Sequence, residues 1–122
     1  MSIKPQVLDL ISLVENGQML EAMTRYYAEH VTMQENIAPP TVGFAENFAR
    51  EQAFYGSLER LKFSLVSVVV EGDRAAINWV FDYTTADGTP YRMDEIAIQT
   101  WRDGKIVHER YVYDTGSLSV AA

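Results

Sequence analysis

Between Tyr91 and Asp114 the chain reads YRMDEIAIQTWRDGKIVHERYVYD, two segments of alternating character joined by a glycine turn. Glutamates stand in it where a sheet with one buried face carries apolar residues, so the interior that these strands enclose must accommodate polar groups. Arg102-Asp103-Gly104 reads as a three-residue loop: Gly at its last position tolerates positive φ, and Asp bonds its own backbone. Trp101 then faces Lys105, and the pairing continues Ala97 with Glu109, Glu95 with Tyr111, Met93 with Tyr113. Directly paired residues share a face. One face would hold Met93, Glu95, Ala97, Gln99, Trp101, Val107, Glu109, Tyr111 and Tyr113, an apolar and aromatic wall with a few polar groups aimed inward. That is the lining of a small-molecule pocket.

At 122 residues the chain is read as a single domain over 1–122 that can bury a core without metal or disulfide staples. It has no cysteine, which excludes thiolate chemistry and Cys-ligated metal. A net charge of −7 with pI near 4.7 argues against nucleic acid or an anionic membrane as partner, since both need a cationic surface. Asp9 and Glu15 interrupt the apolar N-terminal stretch, so no secretory signal is expected, and no run approaches the roughly 18–20 apolar residues of a membrane span. A cytoplasmic protein is the expectation. His30 and His108 are the only histidines. Without a metal-ligand spacing, and with Gly72, Gly88 and Gly104 all read as turn glycines, neither metal nor cofactor is expected.

Val7, Leu10, Ile11 and Val14 recur at helical spacing behind Pro5, and Asn16-Gly17 ends that helix. Met19, Leu20, Met23, Tyr26 and Tyr27 stripe a second helix. His30–Asn36 is a short strand with Val31, Met33 and Glu35 on one side, and Ala38-Pro39-Pro40 forces an extended loop. Phe44, Phe48, Glu51 or Gln52, and Phe54-Tyr55 give a third helix closed near Gly56. From Leu61 the pattern has period two: strands Leu61–Glu71, Arg74–Thr85, Tyr91–Trp101 and Lys105–Asp114 form an antiparallel meander, with residues 116–122 a frayed tail. Helices followed by strands define an α+β class.

Two stretches carry a family resemblance. One is Trp101-Arg102-Asp103-Gly104-Lys105-Ile106 followed by Glu109-Arg110-Tyr111. The other is Tyr26-Tyr27-Ala28-Glu29-His30-Val31-Thr32 running on to Pro39-Pro40 and Gly43. With this element order they resemble the nuclear-transport-factor-2-like cone fold, and within it the SnoaL-like family. The resemblance implies a cone-shaped α+β barrel, three N-terminal helices packed on a strongly curved antiparallel sheet. It also implies a pocket that hosts isomerases, dehydratases, cyclases, epoxide hydrolases or pure binding domains. In the ketosteroid-isomerase branch a carboxylate at the end of the first strand is the general base, and Glu35 falls there. The oxyanion-hole positions fall on Leu10 and Ala97, which cannot donate, so steroid isomerisation is not expected. In the polyketide-cyclase branch the catalytic acid lies on the last strand, near Glu109.

The candidate catalytic residues are Glu35, Glu95 and Glu109, with Asn78, Gln99, Trp101, Tyr111 and Tyr113 as ligand-binding groups. Glu95 and Glu109 sharing one face would leave one neutral acid and one charged base. Against this stands a register slip of one residue, or Arg92 or Arg110 neutralising a buried glutamate. The loop at Asp87-Gly88 decides a second question. If it is two residues long, Val80 pairs with Glu95, Asn78 lies on the pocket side, and Ile77, Trp79, Phe81 and Tyr83 form an outer face that a second copy would cover. If it is three, the faces exchange. The expected function is a cofactor-independent isomerase, cyclase or hydrolase acting on an apolar or partly polar small molecule, with a homodimer formed through the sheet. The other reading is a binding or dimerisation module with the same pocket.

Overall fold

The computed structural model describes residues 2–115, and the expected frayed tail lies outside them. Three helices, α1 (Lys4–Glu15), α2 (Met19–Tyr26) and α3 (Phe44–Gly56), cover one face of a six-stranded sheet. The strands are β1 (Tyr27–Glu35), β2 (Thr41–Val42), β3 (Leu58–Glu71), β4 (Arg74–Thr85), β5 (Pro90–Arg102) and β6 (Lys105–Val112). Their order is β2-β1-β6-β5-β4-β3. The sheet is mixed rather than purely antiparallel, because β1 runs parallel to β6. That pairing joins segments far apart in the chain and was invisible to local pattern, since it rests on residues some 76 positions apart such as Thr32 and His108.

Helix boundaries follow the sequence cues. Pro5 sits in the first turn of α1, where its missing N–H costs nothing, and Gly17 takes the left-handed exit at φ 77°. Val7, Leu10, Ile11 and Leu13 bury one face of α1, and Met19, Ala22 and Met23 one face of α2. α2 stops one residue sooner than its aromatic stripe, and Tyr27 begins β1 instead.

Two hairpins set the interior face of the sheet, and both differ from the simplest reading. The β5–β6 turn has two residues, Asp103 and Gly104, both at positive φ (52° and 78°), with Arg102 opposite Lys105 and Trp101 opposite Ile106. A bulge then shifts the register, so that Gln99 faces Glu109 and Ala97 faces Tyr111. The expected partners of Glu109 and Tyr111 are therefore each displaced by one inward step, and Ile106, not Val107, is the buried residue after the turn. The bulge restores the parity that the shorter turn removed, so Glu109 and Tyr111 still point inward.

In the β4–β5 hairpin Thr84 faces Pro90, Thr85 N–H donates to Thr89 O, and the loop is Ala86-Asp87-Gly88 with Gly88 at φ 87°. Trp79 therefore opposes Glu95 and Phe81 opposes Met93. Ile77, Trp79 and Phe81 are buried against the helices, the second of the two face assignments. Their inward position removes the reason given for covering β4 with a second chain. The convex side instead exposes Val66, Val69 and Ile96. No helix among the described residues is long and apolar enough to cross a membrane.

Candidate functional site

The concave face, closed by the helices, leaves a cavity of about 380 Å³. Leu10, Val14, Met19 and Met23 form its apolar floor from α1 and α2. Phe63, Trp79, Phe81 and Tyr83 supply an aromatic wall from β3 and β4, with Phe54 and Tyr55 added by α3. The rings hold one another in place: Phe63 and Phe81 are 4.3 Å apart, Phe81 and Tyr83 4.7 Å, Phe63 and Trp79 5.7 Å between centroids. Four glutamates, Glu35, Glu51, Glu95 and Glu109, reach this space, against one cation, Arg50.

Glu109 is the anchored one. It is 2 % exposed. Its Oε1 accepts from the Tyr27 hydroxyl and from the Tyr111 hydroxyl (2.6 Å), and its Oε2 accepts from Gln99 Nε2 (2.7 Å). Burial raises its pKa, while the donors Tyr111, Tyr27 and Gln99 pull it back down. Gln99 is itself fixed, because its Oε1 accepts the Trp101 indole N–H at 3.0 Å. Trp101 is buried beneath Gln99 rather than lining the cavity, with Tyr26 tilted against it at 5.7 Å. We therefore expect Trp101→Phe to act on stability rather than on ligand contact. It leaves a buried amide oxygen without a donor, a loss of about 1–2 kcal/mol in urea unfolding.

Glu95 is held by nothing comparable. It is 6 % exposed, and among the described residues no group donates a hydrogen bond to its carboxyl. Burial raises its pKa to about 8, with the charges of Glu109, Glu35 and Glu51 adding to the shift. The corrected register places Glu95 four residues from the strand partner of Glu109, roughly 13 Å of strand, with the Ala97–Tyr111 layer between. The two glutamates thus leave neighbouring strands at different heights, while the Glu109 charge remains the largest of those acting on Glu95. They stand at separate stations along one cavity wall.

At the mouth, Arg50 lies 3.9 Å from Glu35 Oε2 and 3.4 Å from Glu51 Oε1. Glu35 is half exposed and accepts from the Tyr113 hydroxyl at 3.2 Å. Burial raises the Glu51 pKa, opposed by Arg50. Neither arginine proposed as a neutraliser reaches the interior: Arg92 pairs with Asp82, and Arg110 donates to Asn36 O. Asn78 lies on the other face of β4, donating to Asp94 Oδ1 and Glu95 O, because the three-residue loop turned it outward. The cavity thus brings together Glu35, Glu95, Glu109, Gln99, Tyr111 and Tyr113, and leaves out Asn78 and Trp101.

Sequence reasoning passed over Tyr27, Tyr55 and Glu51. A signal for the last two existed: Phe44, Phe48, Glu51 and Tyr55 keep a helical spacing, which puts a glutamate in the apolar stripe of α3. Tyr27 gave none, since its partner Glu109 is 82 residues away.

Among the described residues no group of His, Cys, Asp and Glu side chains is placed to hold a metal ion. Cone and cavity together define a nuclear-transport-factor-2-like protein with a ligand-sized interior. More specifically, the SnoaL-like domain model matches residues 7–109, and the chain belongs to the SnoaL-like family. A protein from Mesorhizobium loti assigned as a SnoaL-like polyketide cyclase is 25 % identical, with a TM-score of 0.78 over 91 % of this chain and 98 % of that one. A nuclear-transport-factor-2-like protein of unknown function from Burkholderia pseudomallei superposes with TM-score 0.81 at 14 % identity, over 95 % and 94 % of the two chains. A protein of ketosteroid-isomerase-like fold from Catenulispora acidiphila, in complex with trimethylamine, gives 0.77 at 16 % identity over 93 % and 88 %. At such identities the last two speak for the fold alone. No curated protein matches the chain.

Proposed function

We propose that this protein is a cofactor-independent acid–base enzyme acting on a small, largely apolar molecule, with Glu95 giving or taking the proton. The observation that carries the reading is a buried carboxyl without a hydrogen-bond donor among the described residues, facing a ligand-sized aromatic cavity, with burial pushing its pKa up to about 8. A general acid or base works best when its pKa lies close to the working pH. Glu109, fixed by three donors, orients Tyr27 and Tyr111 rather than moving a proton itself. Glu35 and Glu51, tied to Arg50, gate the mouth.

Isomerisation, cyclisation and acid–base hydrolysis share a proton transfer, and the first two commonly begin by removing a proton next to a carbonyl. Deuterium uptake from D₂O into a panel of apolar enolisable ketones tests that step directly. Wild type is expected to exchange at least one member, and Glu95→Gln to lower the rate by about 10²–10⁴. Exchange that is unchanged in the variant removes Glu95 from the chemistry.

One observation favours a second reading, a binding module without catalysis. The hydroxyl protons of Tyr27 and Tyr111 are both given to Glu109, so neither phenol is free to donate to a developing oxyanion. Ligand binding without exchange across the panel would select it. Self-association through the convex face, which exposes Val66, Val69 and Ile96, is a separate proposal. Sedimentation at micromolar concentration giving twice the chain mass supports it, and a monomer ends it.

A further inference from the structure

The charges around the cavity do not balance, and the imbalance has a location. At the mouth Glu35 and Glu51 share Arg50. At the far station Glu109 receives two phenol protons and an amide proton. Glu95 lines the same cavity, more than nine-tenths buried, with no donor and no cation answering it among the described residues. A buried polar group is ordinarily paired, and one that is unpaired and aimed into a ligand-sized cavity marks where a ligand group belongs.

The surroundings of Glu95 select the kind of group. Its partner on the adjacent strand is Trp79, followed by Phe81 opposite Met93. These rings, with Phe63 and Tyr83, form a wall of four aromatics beside one carboxyl. Aromatic quadrupoles attract a cation held over a ring and do little for an anion. A neutral alcohol or amide could donate to Glu95, but it would gain nothing from the ring wall beyond apolar contact. An organic cation satisfies both features at once.

We infer that the cavity takes a small organic cation, an alkyl or aryl amine in its ammonium form or a quaternary ammonium, with the charged nitrogen against Glu95 and the apolar body against the Trp79–Phe81 wall. This rests on the acid–base reading above and deepens it. A cation beside Glu95 holds it as the carboxylate, so with such a substrate bound Glu95 is the base of the site rather than its acid. Arg50 at the rim then keeps Glu35 and Glu51 from competing for the same charge.

The inference fixes the direction of a pH dependence. In the empty protein the Glu95 carboxyl titrates near 8. A permanent cation binds the ionised form better, so below that value binding must also expel a proton. Affinity then weakens by up to about tenfold per pH unit as the pH falls. The other titratable groups facing Glu95 are Glu109 on β6, Glu35 on β1, Glu51 and Tyr55 on α3, and Tyr113 beyond β6. Burial raises the Tyr55 and Tyr113 hydroxyls above the ordinary tyrosine value, which keeps them protonated through this range. Glu51 and Glu109 titrate with Glu95 in principle, and Glu95→Gln separates their share.

Phenyltrimethylammonium and its neutral isostere tert-butylbenzene are the probes, since they share shape and differ only in charge. Calorimetric titration, with Trp79 fluorescence as a second readout, is run between about pH 6 and pH 8.5, bracketing the Glu95 transition. At the upper pH the cation is expected to bind at least about tenfold tighter than the isostere, and the preference is expected to shrink toward the lower pH. Glu95→Gln, nearly isosteric with the protonated acid, is expected to bring the two probes within about threefold at every pH. The inference is overturned if the neutral probe binds as tightly as the cation, if neither binds at millimolar concentration, or if the variant keeps the preference. A neutral preference combined with Glu95-dependent deuterium exchange would sink the cation and leave the acid–base reading standing. A cation preference that needs Glu95, without exchange, would do the reverse.

Discussion

Glu95→Gln is expected to stabilise the fold at neutral and alkaline pH. The Glu95 carboxyl titrates near 8 in the folded protein, against a value near 4.5 when solvated. The folded state therefore favours the protonated form. Below about pH 4.5 both states carry the proton and the group costs nothing. As pH rises from there to about 8, the unfolded chain ionises freely while the folded one resists, and stability is lost across that window. At one pH unit per 1.36 kcal/mol, the loss by neutral pH is on the order of 3 kcal/mol. Glutamine keeps the shape of the neutral acid and does not titrate. Its variant should melt about 10 °C above wild type at pH 8, with the difference closing toward pH 4.5. Equal melting temperatures throughout that range would show a solvated Glu95.

The same substitution on the neighbouring strand is expected to act in the opposite direction. Glu109 accepts two phenols on Oε1 and the Gln99 amide on Oε2. In Glu109→Gln one oxygen becomes an NH₂: facing Gln99 it sets two donors against each other, and facing the phenols it removes the oxygen that accepts both hydroxyl protons, so either orientation orphans a donor. Gln99 cannot turn over to meet it, because its own oxygen holds the Trp101 indole N–H. An orphaned buried donor costs about 1–3 kcal/mol, so a loss of about 2 kcal/mol in urea unfolding is expected. The chain of dependence gives a sharper check. Adding Trp101→Phe frees Gln99 to flip, so the double variant should lose less than the sum of the singles, with a coupling of about 1 kcal/mol. Additive losses would mean that the Trp101–Gln99–Glu109 relay is not a unit.

That two glutamates on one face of one hairpin should respond oppositely was not legible in the sequence. Alternation in Tyr91–Trp101 and Lys105–Asp114 was enough to put both inside, and it survived even a mistaken turn. The two-residue Asp103-Gly104 turn and the bulge after Ile106 displaced the register by one residue each, so inward residues stayed inward. Partner identity had no such protection. Gln99, not Ala97, met Glu109, and that exchange gave Glu109 an amide donor and moved it one inward step farther from Glu95. On β4 the pattern was ambiguous because Asp-Gly fits a two-residue turn and the end of a three-residue loop equally well, and a single residue of loop moved Trp79 inward and Asn78 outward. Helices α1 and α3 were readable from local spacing. The parallel β1–β6 pairing and Tyr27 were not, since nothing local encodes a contact between segments some 80 residues apart.

Glu95 as an unpaired, buried carboxyl is the claim on which the site, the proposed chemistry and the ligand inference all depend. Its most direct test is a carbon-13 titration of the glutamate side-chain carboxyls, with the Glu95 resonance assigned by its loss in Glu95→Gln. The account predicts a midpoint near 8 for that resonance. A midpoint within about one unit of the ordinary glutamate value near 4.3 would contradict it, and would return Glu95 to the solvent.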